Sequence, residues 1–361
     1  MNISILRIVK KKITQFKTRK EVKKNFFGGP DVPVETEYMR VEYDSKFPVL
    51  PRKMAGAKTF DRIFQAGQAS FELFCLERKI YGPCWLSVAK FEKTESSPVS
   101  WCKEEYKTSE WKSCSVHSKN NVLKPPKLTL MSLTLMSAPK RSSNELIAFS
   151  MLVNESFKMD EISKARPRVD KHIHGLSKLD GNVFPYDWDS KKTKLTDNLE
   201  SCTNEKHLVN FLLNSIRTVD PDIILGHDVL DFGFEFLLQR IKICGVSNWS
   251  RLGRIRRKEM PKFGGNGFGS SRAGFSAAIG RLVTDIKISA MELVKQKDYG
   301  LTALAEEQIP AREDTKDFRN RTEYGPDLIQ KAFQKSATLR KLTDEIRYDF
   351  FCYFTRLFMV F

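Results

Sequence analysis

A mixed α/β fold in two parts is what this sequence predicts, and three observations predict it. Beyond Pro126, apolar runs of strand length alternate with stretches whose apolar residues recur at helical spacing. Before Pro126 the strands are short, turn signals are frequent and one short helix is indicated. The chain has 361 residues, enough for about two domains at roughly 100–200 residues each. We therefore place a boundary near Pro126, giving a first region 1–127 and a second, 128–361.

In the first region, residues 1–27 interleave Ile3, Ile5, Leu6, Ile8, Val9, Ile13 and Phe16 with lysines and arginines. A solvated strand or helix edge and a nucleic-acid arm both fit that pattern. Gly28-Gly29-Pro30-Asp31-Val32-Pro33 breaks the chain, and Tyr38–Tyr43 alternates like a half-buried strand. Ser70–Lys79 reads as a short helix with Ser70 as its N-cap, stopped by Gly82-Pro83. Cys84–Phe91 reads as a strand, and Trp85 and Trp101 as core aromatics of this region. The polar stretch 92–127 follows.

In the second region, Leu128–Met136 and Glu145–Val153 are strands joined by a hairpin connection, Ala138–Asn144. Glu205–Arg217 places Leu208, Phe211, Leu212 and Ile216 on one helical face. Asp220-Pro221-Asp222 turns the chain into a buried strand, Ile223–Gly226. A second helix sets Phe232, Phe236, Leu237 and Ile241 on one side. Arg251–Gly274 is a basic, glycine-rich loop with no helix expected to open after it. Arg281–Ile286 reads as a strand, and Ser289–Lys297 and Tyr299–Gln308 as helices.

Composition narrows the function classes. Apolar residues make up 41% and charged residues 29%, so a sizeable core can be buried and a wholly disordered chain is excluded. The 61 Lys and Arg against 44 Asp and Glu leave a charge of +17, which favours a polyanionic partner. Nucleic acid and an acidic membrane face both meet that description. No apolar run reaches the ~18–20 residues that a spanning helix needs, and Met1–Val9 is not expected to be a secretory signal. Asp349–Phe361 is apolar and carries Arg356. We expect it to be part of a buried helix whose packing partner lies beyond the last residue.

Seven scattered cysteines show no Cys-x-x-Cys pair, so free thiols in a reducing compartment are expected. A zinc site from Cys75, Cys84, Cys102 and Cys114 would need spacings that zinc ligands do not usually have. His172 and His174, beside Asp170, could hold a metal or simply alternate along a strand edge. His227, after the buried strand, is expected to be a hydrogen-bonded packing residue.

Several runs, taken in order, resemble the family B DNA polymerases, and within them the eukaryotic alpha class. They are Pro30-Asp31-Val32-Pro33 with Glu37-Tyr38, Phe71–Phe74 through Arg78-Lys79-Ile80, and Gly82-Pro83-Cys84-Trp85-Leu86. Val99–Lys103, Asp220–His227 and Leu237–Ile241 continue the series. So do Trp249–Arg254, Met260-Pro261-Lys262, Gly267-Phe268-Gly269 and Gly280-Arg281. The resemblance covers most of residues 16–310 and thins after Pro310. It implies that 1–127 is the later part of a β-rich α+β N-terminal domain, and 128–361 most of a ribonuclease-H-like exonuclease domain. The family's palm motifs, Ser-Leu-Tyr-Pro-Ser and Asp-Thr-Asp, do not occur in these residues. Asp314-Thr315-Lys316-Asp317 is polar and loop-like and does not replace them. The chain is therefore expected to be a piece of a longer polymerase. The intact enzyme would use Mg²⁺ on DNA and RNA–DNA primer-templates in the nucleus, with a primase and an accessory subunit as partners and no membrane.

A proofreading exonuclease gathers acidic side chains around two Mg²⁺ about 4 Å apart, one activating water and the other stabilising the leaving oxygen. Mg²⁺ demands hard oxygen ligands, so each lost acid removes a ligand and a neutralising charge. Where the family's first strand carries Asp-x-Glu, this sequence has Thr134 and Met136. Its second motif, Asn-x-x-x-Phe-Asp, aligns with Asp228–Gly233 and puts Gly233 in the acid's place. The third, Tyr-x-x-x-Asp, aligns with Glu345–Asp349 and keeps Asp349. The expectation is an inactive exonuclease that binds no metal. The alternative is an active Mg²⁺-dependent 3′–5′ exonuclease whose cluster is rebuilt from Asp228, Asp231 and Asp349.

The basic loop offers Arg251, Arg254, Arg256, Arg257, Lys258 and Lys262 within twelve residues. Such a run suits a phosphate backbone, because Arg and Lys release counterions when they neutralise it. A solvated loop that serves solubility fits it equally. Trp249, Phe263 and Phe268 suit either stacking on unpaired bases or anchoring of the loop in the core.

Overall fold

The computed structural model describes residues 13–346 except 26–32, 49, 51–54, 58–59, 66–67, 96–97, 118–122, 140–142, 160–167, 180–182, 193–198, 262–269, 309–321 and 323. Asp349–Phe361 and Asp314–Asp317 therefore lie outside the described residues. The chain forms two compact units, 1–92 with 107–123, and 93–106 with 124–361. The second unit thus takes in a short segment, 93–106, that reading along the sequence leaves with the first region.

Paired short strands make up most of the first unit. β1 (Phe16–Lys24) pairs antiparallel with β2 (Glu35–Tyr43), from Phe16 opposite Tyr43 to Lys24 opposite Glu35. β2 alternates between exposed and half-buried positions, as its sequence pattern demands. β3 (Ala55–Ala57) pairs with β4 (Phe60–Arg62). Helix α1 spans Ser70–Glu77, but Ala69 and not Ser70 occupies the N-cap, with no side-chain cap. The strand expected over Cys84–Phe91 shortens to β5 (Leu86–Val88), and Trp85 is 43% exposed rather than buried in a core. β6 (Glu92–Lys93) pairs with β7 (Tyr106–Lys107), and β8 (Cys114–Val116) with β5.

The second unit is built on one six-stranded mixed sheet. Its strands are β9 (Leu128–Pro139), β10 (Asn144–Phe157), β11 (Lys171–Ser177), β12 (Leu199–Cys202), β13 (Ile223–Gly226) and β14 (Leu282–Asp285). Their order across the sheet is β12-β11-β10-β9-β13-β14. β10 runs antiparallel to both neighbours, while β13 is parallel to β9 and to β14. This is the ribonuclease-H-like arrangement expected from the resemblance. β10 is buried at nearly every position, which is why its sequence reads as a continuous apolar run and not as an alternation.

Helices cover both faces. On one, Met131, Leu133, Phe149 and Met151 pack against α3 (Glu205–Val219) and α4 (Phe234–Ile243). Asn204 caps α3, its Oδ1 accepting from the His207 amide at 2.9 Å, and Leu208, Leu212 and Ile216 are buried as their spacing predicts. Each buried leucine is worth about 2–5 kcal/mol, the cost of truncation to Ala. Between α2 (Trp188–Lys192) and the helix at 336–346, Ala138, Ala148 and Leu176 form a second core with Trp188, Leu339 and Leu342. α6 (Ile286–Leu293) and α7 (Leu301–Gln308) enclose a third with Leu130, Leu152 and Leu225. α6 starts at Ile286 and not near Ser289, because Asp285 accepts from the Lys287 amide and caps it. No helix among the described residues is long and apolar enough to cross a membrane.

Two local departures matter for the site. Residues Val229–Gly233 form one π-helical turn before α4, and this turn carries Phe232 outward to 52% exposure, where it stacks on Phe236. A helix, α5 (Ser270–Ala277), also opens after the glycine-rich stretch, contrary to expectation. It approaches the π turn so closely that a Cβ on Gly274 would sit 3.0 Å from the Leu230 carbonyl.

Candidate functional site

The face of the sheet that would hold a metal pair is built from β9, β10 and β11. Thr134 lies opposite Ser150, and Ser150 opposite His174, so these three share one face and form a cross-strand row. Ser150 and His174 are buried and Thr134 and Met136 half-buried. The row separates the two cores on that face and offers hydroxyls, an imidazole and a thioether, with no carboxylate.

The parallel pairing of β13 with β9, ending at Leu225 opposite Ser132, brings the turn after β13 toward the Thr134 end of β9. Asp228 opens that turn in the left-handed region, φ 55°, a conformation that Asp and Asn tolerate better than most residues. Its carbonyl accepts from the Phe232 and Gly233 amides at 3.2 and 2.9 Å. Its carboxylate is paired with the Lys287 ammonium at 2.9 Å. Asp285, at the end of β14, is 4% exposed and accepts from the amides of Asp228, Leu230 and Lys287, each at 3.0 Å. It therefore works as a clasp that fixes the turn. Asp231 faces solvent and Gly233 is buried without a side chain. Asp349 lies outside the described residues.

These residues do not fit two Mg²⁺. Thr134, Met136 and Gly233 supply no anionic oxygen, Asp228 is neutralised by Lys287, and the Asp285 carboxylate is occupied by backbone donors. No three His, Cys, Asp or Glu side chains among the described residues converge as metal ligands. His172 and His174 sit on β11 with ring centroids 6.2 Å apart, and Asp170 is engaged by Arg168 and by the Glu155 amide at 2.8 Å. No disulfide joins the six described cysteines. His227 is the packing residue its position suggested, with Nε2 2.8 Å from the Tyr299 carbonyl.

The basic segment divides by partner. Arg254 pairs with Asp220 at 2.9 Å and with Asp222 at 2.8 Å. Arg281, whose side chain is 1% exposed, takes the same Asp220 oxygen at 2.7 Å and the Pro221 carbonyl at 2.6 Å. Burial pushes the Asp220 carboxyl up, but the two guanidiniums outweigh it and hold it below the usual range. Arg257 donates to Ser276 and lies 4.8 Å from the centroid of Trp249. Trp249 is buried and donates to the Lys258 carbonyl at 3.3 Å, so it anchors the segment in the core. Lys258 is exposed. Lys262, Phe263 and Phe268 lie outside the described residues.

Arg251 and Arg256 go elsewhere. Both meet the Trp101 ring, with guanidinium carbons 5.1 and 4.2 Å from its centroid, and Arg217 on α3 meets the same ring at 5.6 Å. Trp101 belongs to the second unit and is half-buried among arginines, not a core aromatic of the first region. Its indole donates to Ser250 Oγ at 3.2 Å and its amide to the Arg254 carbonyl at 2.7 Å. Sequence reasoning missed Arg217, Lys287 and the structural roles of Asp285 and Asp220. Only Asp285 carried a local signal, an Asp standing between an apolar strand and a helix.

Comparison with known proteins places this geometry. The family model described as DNA polymerase family B, exonuclease domain, matches residues 62–304. The chain is 38% identical over 335 residues to the DNA polymerase alpha catalytic subunit of Xenopus laevis, covering 91% of this chain and 22% of that protein. It is 37% identical over 307 residues to the subunit of the same name from Mus musculus, covering 82% and 20%. The chain thus spans about a fifth of the length of these relatives. A solved family B DNA polymerase from Pyrobaculum calidifontis superposes with a TM-score of 0.58 at 13% identity, over 94% of this chain and 36% of that one, which shows a shared fold. The sheet order, the aligned motifs and the matched exonuclease model agree: this chain belongs to the family B DNA polymerases.

Proposed function

We propose that this chain is part of a DNA polymerase alpha catalytic subunit in which the exonuclease fold has lost its chemistry and kept its architecture. In this reading 1–127 is the later part of the N-terminal domain and 128–361 most of the exonuclease-like domain. The intact subunit would extend RNA–DNA primers with Mg²⁺ in the nucleus, during replication initiation and lagging-strand priming. A primase and an accessory subunit would be its partners. This piece would scaffold the catalytic domains and contact nucleic acid through the basic segment. Arg251, Arg256, Lys258 and Lys262 would face the phosphates there, with Arg254 and Arg257 holding the segment in shape.

One observation carries the loss of nuclease chemistry. At every described position where the family's motifs place a metal-binding acid, the side chain is Thr134, Met136 or Gly233. Asp228, on the turn after β13, is paired with Lys287. Two-metal hydrolysis needs ligands that fix both cations and the attacking water, and neutral side chains do neither.

The test is incubation of the full chain with 3′-labelled single-stranded DNA and Mg²⁺ or Mn²⁺. Label release should equal the metal-free control, and Asp228→Ala should change nothing. Metal-dependent shortening that disappears in Asp228→Ala or Asp349→Ala would establish the active exonuclease instead.

A further inference from the structure

We propose that Arg217, Arg251 and Arg256, gathered around the Trp101 indole, form a phosphate-binding site. The three guanidiniums come from three separately anchored elements. Arg217 lies on α3, Arg251 on the 3-10 turn Trp249–Leu252, and Arg256 beside the antiparallel bridge of Ser100 with Ile255. All three lie within 5.6 Å of one ring centroid. No carboxylate among the described residues forms an ion pair with any of them. The anion that bears on the cluster is Glu105, which interacts electrostatically with Arg256 but is held by the Val99 and Ser100 amides at 3.1 and 2.6 Å.

Burial first, and then the charges of Arg217 and Arg256, push the Arg251 guanidinium below its usual range, so the cluster is electrostatically uncomfortable as it stands. Arg251 donates one N–H to Asn214, and its Nε is buried and meets no acceptor among the described residues. Arg256 donates from Nε to the Ser100 carbonyl at 2.5 Å, which fixes its plane. The indole ring attracts the cations without neutralising them. What the arrangement lacks is a compact, multiply charged acceptor. A phosphate provides oxygens for forked guanidinium donors and charge for all three.

The phosphate could belong to a nucleic-acid backbone or be free. The first source rests on the reading of this segment as a nucleic-acid contact, whereas the site itself rests on the cluster alone. The experiment uses the full chain and the double variant Arg217→Gln/Arg256→Gln, both exposed positions, with unchanged thermal unfolding as the control for folding. Pyrophosphate is titrated by calorimetry, and a fluorescent single-stranded oligodeoxynucleotide by anisotropy at several salt concentrations. We expect the double variant to bind pyrophosphate at least tenfold more weakly. Its oligonucleotide salt slope should fall by about 1.4, from ~0.7 per lost contact.

Lost pyrophosphate binding with unchanged oligonucleotide binding would uphold the site and overturn nucleic acid as its ligand. Equal binding of pyrophosphate by both proteins would overturn the site, even if the oligonucleotide still binds. Failure of the unsubstituted chain to bind either probe would also overturn it. So would a polyglutamate peptide that binds more tightly than pyrophosphate and is lost in the double variant, since that would mark a protein partner.

Discussion

Just before β13, Arg254 and Arg281 share Asp220, and Arg254 also takes Asp222. Around Trp101, Arg217, Arg251 and Arg256 share no carboxylate. The two clusters draw on the same run of sequence, and Arg254 and Arg256 are only two residues apart. Their surroundings give them opposite uses. Cations matched to half-buried carboxylates tie the segment to the sheet, because parting them would strand the buried Arg281 charge in a poor solvent. Cations stacked on an indole remain half-solvated and keep unspent attraction for an anion. The sheet face beside the turn after β13 resembles the first cluster, since Asp228 and Asp285 are both answered. Density of charge along a sequence therefore says little about binding, and the partner of each charge says much more.

The largest expected effect comes from breaking the matched cluster. Asp220→Asn leaves Arg281 buried with only carbonyl acceptors and should cost about 3 kcal/mol, the low end for stripping one partner from a buried pair. The urea midpoint reports it directly. The same carboxylate sets an acid limit. Its folded pKa lies below its unfolded value, so its contribution is complete above about pH 4 and is lost as pH falls through the folded value. Stability of the unsubstituted chain should therefore decline below about pH 4, and more gently in Asp220→Asn.

A small effect sharpens the contrast from the other side. Arg256→Gln removes a cation with no carboxylate partner and relieves repulsion on Arg251, so its unfolding free energy should stay within about 0.5 kcal/mol of the parent. A loss of 2 kcal/mol or more would show that the Trp101 cluster is structural after all.

The sheet and its helices were largely legible in the sequence because local pattern encodes them. Ile223–Gly226 is apolar between a turn and a polar step, and Glu205–Arg217 keeps its apolar stripe at helical spacing. The proposed alignment of Thr134, Met136 and Gly233 with the family's acids also needs only order along the chain. What could not be read was pairing at a distance. Arg256 finds Ser100 across 156 residues and Arg281 finds Asp220 across 61, and neither partner leaves a trace in local composition. The π turn after Asp228 escaped for another reason. Its residues look helical, and the extra residue shows only in the backbone, where the Gly233 amide reaches back five residues to the Asp228 carbonyl.

The central claim is that the exonuclease face cannot gather a pair of divalent cations, and Mn²⁺ titration of the full chain tests it most directly. Electron paramagnetic resonance of free Mn²⁺ should show only weak, salt-sensitive association with no saturable step. Two saturable sites that weaken together in Asp228→Ala would contradict the account.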